Sequence, residues 1–352
     1  MAEPRSLGVA GPGVPAFFDS PAPPPGPGGF RVETVATGLS AGTELTFVKG
    51  TNPYHRRTFD RRLRVFRDGP PTSGYPVRTM GYMEVARVTD SRAAAVPEGA
   101  LLAMAYGHRT AYTAGPDELR VPLPADLDPL LGVFVAQLGP VCVNGLLHAA
   151  YDAAGRGLTG LADGVAGRRV LVTGAGVVGL LTGLLAARHG AAAVAVADPD
   201  PTRRAAAAAL GLEPVDGPAE EWCKTAWPGG ADLAFQCRGR SAALVTALKA
   251  LRVQGTVVDL AFYQDGAPDL RLGEEFHHNG LTVRCAQIGH LPPGCGWDRA
   301  RLAAGTLDLL RDAGPLVRRH LVTDVLPLDE APAFLADLAA RRRATLQAVF
   351  RL

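Results

Sequence analysis

Arg169-Val170-Leu171-Val172-Thr173-Gly174-Ala175-Gly176-Val177-Val178-Gly179 is the stretch on which the reading of this chain turns. Five strand-favouring residues run into a Gly-x-Gly-x-x-Gly string, and an apolar segment continues to His189. The pattern predicts a buried strand over 168–173, a tight turn, and a helix over 177–189. Gly174 permits the turn, Gly176 lets the backbone approach a pyrophosphate, and Gly179 lets helix and strand pack closely. The helix start, at Val177 and Val178, offers unpaired N–H groups and a positive dipole end to phosphate. A second predicted strand, 193–197, ends at Asp198, whose carboxylate is placed to accept the hydroxyls of a ribose. With 42 glycines in the chain the string alone is weak. Its strand, helix and acid together favour a dinucleotide site over a glycine-rich turn that binds nothing.

Asp198 would repel a 2′-phosphate, so NAD is expected rather than NADP. Arg203 and Arg204 follow shortly and would flank the adenine or hold a phosphate. Cys237, Ala261 and Phe262, at the ends of later predicted strands, complete the expected nucleotide contacts.

Outward from the fingerprint, apolar helical spacing covers 133–154, and the alternation continues with a helix at 202–210. Strand 232–236, helix 241–251, strand 255–260 and a strand over 281–286 follow. Such alternation predicts a doubly wound parallel sheet covered on both faces. The first thirty residues are rich in Pro and Gly and are read as a loop leading to a strand over 30–37. Short strand segments such as 84–88 and 101–105, punctuated by Gly and Pro, predict an antiparallel, barrel-like domain. Two helices, 297–312 and 329–341, and a strand at 345–350 close the chain. The expected division is 1–140 for the barrel-like domain, 141–287 for the nucleotide domain, and 288–352 for a return to the first. The fold class is thus α/β, a Rossmann sheet plus a discontinuous β domain.

Composition narrows the function classes. A formal charge of +2 gives no electrostatic case for nucleic acid or a membrane surface. No apolar run reaches the roughly 20 residues needed to span a bilayer. The five cysteines are scattered and never form C-x-x-C, which argues against a disulfide framework or a zinc knot and for a reducing cytoplasm.

Three further strings carry a resemblance: Leu39-Ser40-Ala41-Gly42-Thr43-Glu44, Gly81-Tyr82-Met83-Glu84 and Leu326-Pro327-Leu328-Asp329-Glu330-Ala331-Pro332. With the fingerprint, they resemble the medium-chain dehydrogenase/reductase superfamily, nearest its polyol-dehydrogenase-like and bacteriochlorophyllide-dehydrogenase-like members. The resemblance implies a GroES-like first domain, a nicotinamide cofactor, a small-molecule alcohol substrate and a homodimer joined along strand 281–286, whose Leu281 and Val283 are apolar. It also marks departures. Where zinc-dependent members carry Cys and His ligands, this chain has Ala41 and Tyr82, and Cys142 is the one donor near the third position. A catalytic zinc needs three protein ligands, so no zinc is expected.

Without a metal, side chains must handle the proton and the developing charge on oxygen. Thr43 keeps the superfamily's hydroxyl-relay position. Tyr82 is expected to face the same oxygen, or else to fill the vacated metal site as a packing aromatic. His108 is a third acid–base candidate, against a buried structural histidine. Glu44, Tyr54 and Asn144 are candidate substrate contacts, against a supporting acid, a solvated loop and a backbone tie. The expected reaction is hydride transfer between NAD and a secondary alcohol of a polyol, sugar or cyclitol-like metabolite. Reduction of a conjugated C=C bond without zinc, and NAD binding without catalysis, are the competing readings.

Overall fold

The computed structural model describes residues 3–264 and 266–352. The chain divides into two compact units, 1–137 with 322–352, and 138–321.

The first unit opens with β1 (Arg5–Gly11) and β2 (Val14–Asp19), paired as an antiparallel hairpin. The expected loop is therefore confined to the proline run that follows. Leu7 and Val9 are fully buried, and that apolar anchoring outweighs the glycines around them. Next come β3 (Phe30–Gly38), α1 (Ala41–Lys49), β4 (Thr58–Asp60), β5 (Val65–Arg67), β6 (Glu84–Ser91), β7 (Leu101–Met104), β8 (Ala111–Ala114) and β9 (Arg120–Pro122). β3 is the central strand, with β6, β8 and the closing strand of the chain all antiparallel to it. In that register Thr37 lies opposite Glu84. Helix α1 begins after Ser40, has Glu44 in its first turn and Lys49 in its last, and stops at Gly50, whose φ of 68° suits glycine.

The second unit runs α2 (Leu138–Ala154), β10 (Arg169–Thr173), α3 (Val177–Arg188), β11 (Ala193–Ala197), α4 (Pro201–Ala209) and β12 (Glu213–Val215). It continues with α5 (Ala219–Ala226), β13 (Ala231–Gln236), α6 (Ser241–Ala250), β14 (Leu251–Asp259), α7 (Glu275–His278), β15 (Thr282–Cys285) and α8 (Arg299–His320). The six strands form one parallel sheet in the order β12-β11-β10-β13-β14-β15. The order reverses between β10 and β13, so their carboxyl ends open the crevice where such sheets bind ligands. At the opposite end, Asp232 Oδ2 accepts from Arg169 Nε at 3.0 Å and Oδ1 from Arg252 Nε at 2.9 Å, tying three strands together. Short elements β12 and α5 lack the periodicity that revealed the rest.

The chain returns to the first unit as β16 (Val322–Pro327), α9 (Ala331–Ala339) and β17 (Gln347–Arg351). The return starts at Val322, later than the expected 288, because α8 packs on α2, α3 and α4. Leu281 is also not the apolar edge residue expected of it. It is buried in the core beside Leu251 and Val257, while Thr282 and Val283 of β15 face outward at the sheet edge.

Candidate functional site

The carboxyl end of β10 turns through Gly174, whose φ of 104° suits glycine. A Cβ on Gly179 would lie 1.8 Å from the Gly174 carbonyl oxygen, so the fingerprint's last glycine is required by close approach of helix and turn. Val177 and Val178 open α3, where the first N–H groups have no partner within the helix. Asp198 Oδ2 accepts from the N–H of Ala175 at 2.9 Å and Oδ1 from the N–H of Asp200 at 2.9 Å. The acid at the end of β11 is thereby locked to the turn, with lone pairs left to accept hydroxyls. Arg203 leans over the same turn: a Cβ on Gly176 would lie 3.3 Å from its Nη1. Arg204 is held by the Asp198 carbonyl at 2.9 Å and by Asp216 at 2.8 Å.

Across the crevice, Gln236 joins its walls. Its Oε1 accepts from Thr173 Oγ1 at 3.0 Å and from the N–H of Arg238 at 3.0 Å, and its Nε2 donates to Tyr263 at 2.9 Å. The loops carrying Cys237, Ala261 and Phe262 meet there, since a Cβ on Gly239 would lie 2.5 Å from the Phe262 carbonyl oxygen. The cradle has the backbone approach, dipole and acid that a dinucleotide needs, and a nicotinamide cofactor fits it.

In the first unit the sequence-predicted pair comes together. Thr43 Oγ1 lies 3.3 Å from the Tyr82 hydroxyl, and Ser40 Oγ hydrogen-bonds the same hydroxyl. Ser40 was not among the residues the sequence singled out. It stands at the N-cap of α1, where serine usually bonds the helix N–H groups, but its side chain makes no capping bond. Glu44 reaches back to accept from the N–H of Ser40 at 2.7 Å, while the N–H groups of Thr43 and Glu44 meet the Ser40 carbonyl at 3.0 and 2.8 Å.

Burial pushes the Tyr82 phenol up, and the charges of Glu44 and Glu84 add to this against the bonds from Ser40 and Thr43. Tyr82 is thus protonated near neutral pH and suited to donate a hydrogen bond or a proton. It is not the ready-made base that a lowered value would make.

Behind this trio lies a fully buried polar chain. His108 Nε2 is 2.5 Å from Glu44 Oε2 and its Nδ1 is 2.6 Å from Thr37 Oγ1, which bonds Glu84 Oε1 at 3.0 Å. Glu84 also accepts from the N–H groups of Met83 at 3.1 Å and Tyr106 at 2.8 Å. Burial opposes charge on His108, but the Glu44 field and hydrogen bond, with Glu84 beyond, prevail and raise it. Burial likewise raises Glu84, against the pull of His108 and its donors.

Four expected contacts are therefore corrected. His108 is 0% exposed and has both ring nitrogens engaged, so it is no acid–base group at a substrate. Glu44 is 1% exposed and spent on Ser40 and His108, which makes it a support rather than a substrate contact. Asn144 is fully buried on α2 and donates to the Ala286 and Gln287 carbonyls, which fixes the chain leaving β15. Tyr54 stacks on Phe66 of the β4–β5 hairpin, with ring centroids 5.7 Å apart, instead of joining the trio.

The residues do not fit a catalytic zinc. Ala41 has no donor and Tyr82 is hydrogen-bonded to Ser40 and Thr43. The buried Cys142 thiol donates to the Leu138 and Val178 carbonyls and is pushed up to about 12 by burial, far from the thiolate a metal requires. Among the described residues no group of three or more His, Cys, Asp or Glu side chains could hold a metal ion.

Residues 177–294 match the family profile described as Zinc-binding dehydrogenase. Over 334 residues the chain is 30% identical to a probable zinc-binding alcohol dehydrogenase of Mycobacterium tuberculosis, covering 90% of this chain and 80% of that protein. The chain belongs to the medium-chain dehydrogenase/reductase superfamily. This medium-chain dehydrogenase is also 30% identical over 193 residues to D-guloside 3-dehydrogenase of Escherichia coli (strain K12). That match spans 52% of this chain and about half, 54%, of the relative. Its fold is that of a protein classed as a zinc-binding dehydrogenase from Sinorhizobium meliloti 1021 and crystallised with NADP. The TM-score is 0.74 at 21% identity, covering 100% of both chains. The profile match lies within the nucleotide-binding unit, whereas the departures at Ala41 and Tyr82 lie in the other.

Proposed function

We propose that this medium-chain dehydrogenase transfers a hydride between a secondary alcohol of a polyol, sugar or cyclitol-like metabolite and NAD, with a hydroxyl trio standing in for zinc. The observation that carries the proposal is the Tyr82 hydroxyl shared with Ser40 and Thr43. Gly174, Gly176, Val177, Val178, Gly179, Asp198 and Arg203 would hold the nucleotide, which when bound supplies the hydride acceptor or donor. In the reducing direction the protonated Tyr82 donates to the carbonyl oxygen and stabilises the charge that develops there. In the oxidising direction the alcohol proton would pass to the deprotonated form of Tyr82 as the hydride leaves for NAD, with Thr43 and Ser40 holding the phenol oxygen in line.

Asp198 favours NAD because its fixed charge opposes a 2′-phosphate. The NADP carried by the Sinorhizobium protein makes this the part most in need of test. The relative named for D-guloside supports a sugar hydroxyl as substrate. We also read the protein as a cytoplasmic homodimer paired along the exposed edge of β15. Light scattering that returned the monomer mass at micromolar concentration would count against the dimer. Among the described residues no helix is long and apolar enough to cross a membrane.

Absorbance at the nicotinamide band, followed with NAD and NADP against a panel of sugars, polyols and their ketones, tests the reading. Turnover with a secondary alcohol or its ketone is expected. Tight NAD binding without turnover on any of them would favour a nucleotide-binding protein instead.

A further inference from the structure

The chain Glu44–His108–Thr37–Glu84 is wholly inside the first unit, each member at most 1% exposed. Its proton count can be worked out from one end. Glu84 accepts from two backbone N–H groups and from the Thr37 hydroxyl. The single Thr37 proton is thus spent on Glu84, and Thr37 accepts from His108 Nδ1–H. At the other ring nitrogen, Glu44 Oε1 accepts from Ser40 and Glu44 Oε2 lies 2.5 Å from Nε2, and the Glu44 field and hydrogen bond raise His108 against its burial, which places a proton on Nε2 as well. Both ring nitrogens then carry protons.

The ring also touches both walls of the hydroxyl trio. On one side it meets Glu44, which follows Thr43 directly and accepts from the N–H of Ser40. On the other it lies flat on Gly81, the residue before Tyr82. A Cβ there would be 2.8 Å from Nε2 and 2.9 Å from Cδ2 and Cε1, and the φ of Gly81 is 98°. Phe350 of β17 meets the ring edge-on, with ring centroids 6.1 Å apart, and the charges that act on His108 are those of Glu44 and Glu84.

We propose that His108 is a positioning residue, carried as a buried imidazolium that clamps α1 to the Gly81–Tyr82 turn and so fixes the Ser40, Thr43 and Tyr82 hydroxyls. It is distinct from a group that touches substrate. A buried cation between two carboxylates is costly unless all its bonds are made, and here each ring N–H has its acceptor. The role in catalysis rests on the trio meeting the substrate oxygen, but the protonation state does not.

The test is nitrogen and carbon NMR on the labelled full chain without ligand, with His108 assigned through His108→Gln and the Tyr82 ring through Tyr82→Phe. Expected at pH 7 are two slowly exchanging ring N–H protons on His108 and one sharp Tyr82 resonance. Glu44→Gln should remove one His108 proton and broaden or shift the Tyr82 signal, as should His108→Gln, while NAD binding in the other unit persists. Turnover in both variants should fall on the order of 10²-fold with KM little changed, the scale of a misplaced reacting group. A neutral His108 ring in the unmodified chain overturns the proposal even if a variant fails to fold. So does a Tyr82 signal unchanged in both folded variants. Absence of turnover on every alcohol, with the NMR as expected, would instead sink the proposed reaction and leave the clamp standing.

Discussion

On the proposed reading, the groups that would face a ligand in the second unit are backbone N–H groups and one acid, set by residues 174–179 and 198 on neighbouring parallel strands. In the first unit they are side-chain hydroxyls, held by residues 37, 44, 84 and 108, which only the antiparallel pairing of β3 and β6 and the burial of His108 bring together. Both regions place polar groups accurately. The nucleotide cradle does so through backbone conformations that a few glycines dictate locally. The hydroxyl trio depends on a desolvated network whose members are far apart in the chain and must all be satisfied at once.

The comparison breaks most visibly at Gly179. Gly179→Ala drives a Cβ into the Gly174 carbonyl, a backbone atom with nowhere to go. Overpacking of about 1–3 kcal/mol falls on the turn itself, so NAD affinity should drop by on the order of 10²-fold in a calorimetric titration. The trio in the first unit should be untouched.

The converse substitution is Tyr82→Phe, expected to cut turnover by on the order of 10²-fold with NAD binding intact. Thr43→Ala and Ser40→Ala should do comparable damage, and double variants should be little worse than single ones, because the residues act together. Burial holds the phenol protonated, so oxidation of alcohol should keep rising with pH into the alkaline range, where a deprotonated acceptor first becomes available. Reduction of the ketone should persist at neutral pH. A Tyr82→Phe protein with most of its turnover would return Tyr82 to the role of a packing aromatic.

That asymmetry governs what the sequence could tell. The glycine string, Asp198 and the strand–helix alternation specify local backbone, and they led to the parallel sheet and its crevice. Thr43 and Tyr82 were legible as a pair through the strings around them. Ser40 was not legible, because a serine at an N-cap position reads as a capping residue, and its hydroxyl instead bonds Tyr82. For His108 and Glu44 the sequence left a role at substrate open beside a structural one, since burial is not visible in a one-dimensional pattern. The β1–β2 hairpin was hidden by glycines and prolines that its pairing tolerates.

Smaller effects sharpen the account within the second unit. Asp198→Ala removes both the ribose acceptor and the repulsion of a 2′-phosphate. The ratio of NAD to NADP affinity should shift by about ten-fold toward NADP, the worth of one charge-assisted hydrogen bond. An unmodified chain that binds NADP more tightly than NAD would refute the reading of Asp198.

At the far end of the same sheet, Arg169 and Arg252 hold the Asp232 carboxyl down at about 2 against its burial. A depressed folded value means that this stability is present above the ordinary carboxylate range and is lost as pH falls toward 2. Asp232→Asn should cost about 1–3 kcal/mol in urea melts at neutral pH and flatten the acid limb of the stability curve. NAD affinity should change little.

The central claim is that hydroxyls rather than a metal meet the substrate oxygen, and metal analysis paired with turnover tests it most directly. Purified protein should carry less than about one tenth of a zinc per chain, because three ligands are not present, and chelator should leave turnover unchanged. Near-stoichiometric zinc, removed by chelator together with turnover and restored with it, would contradict the account.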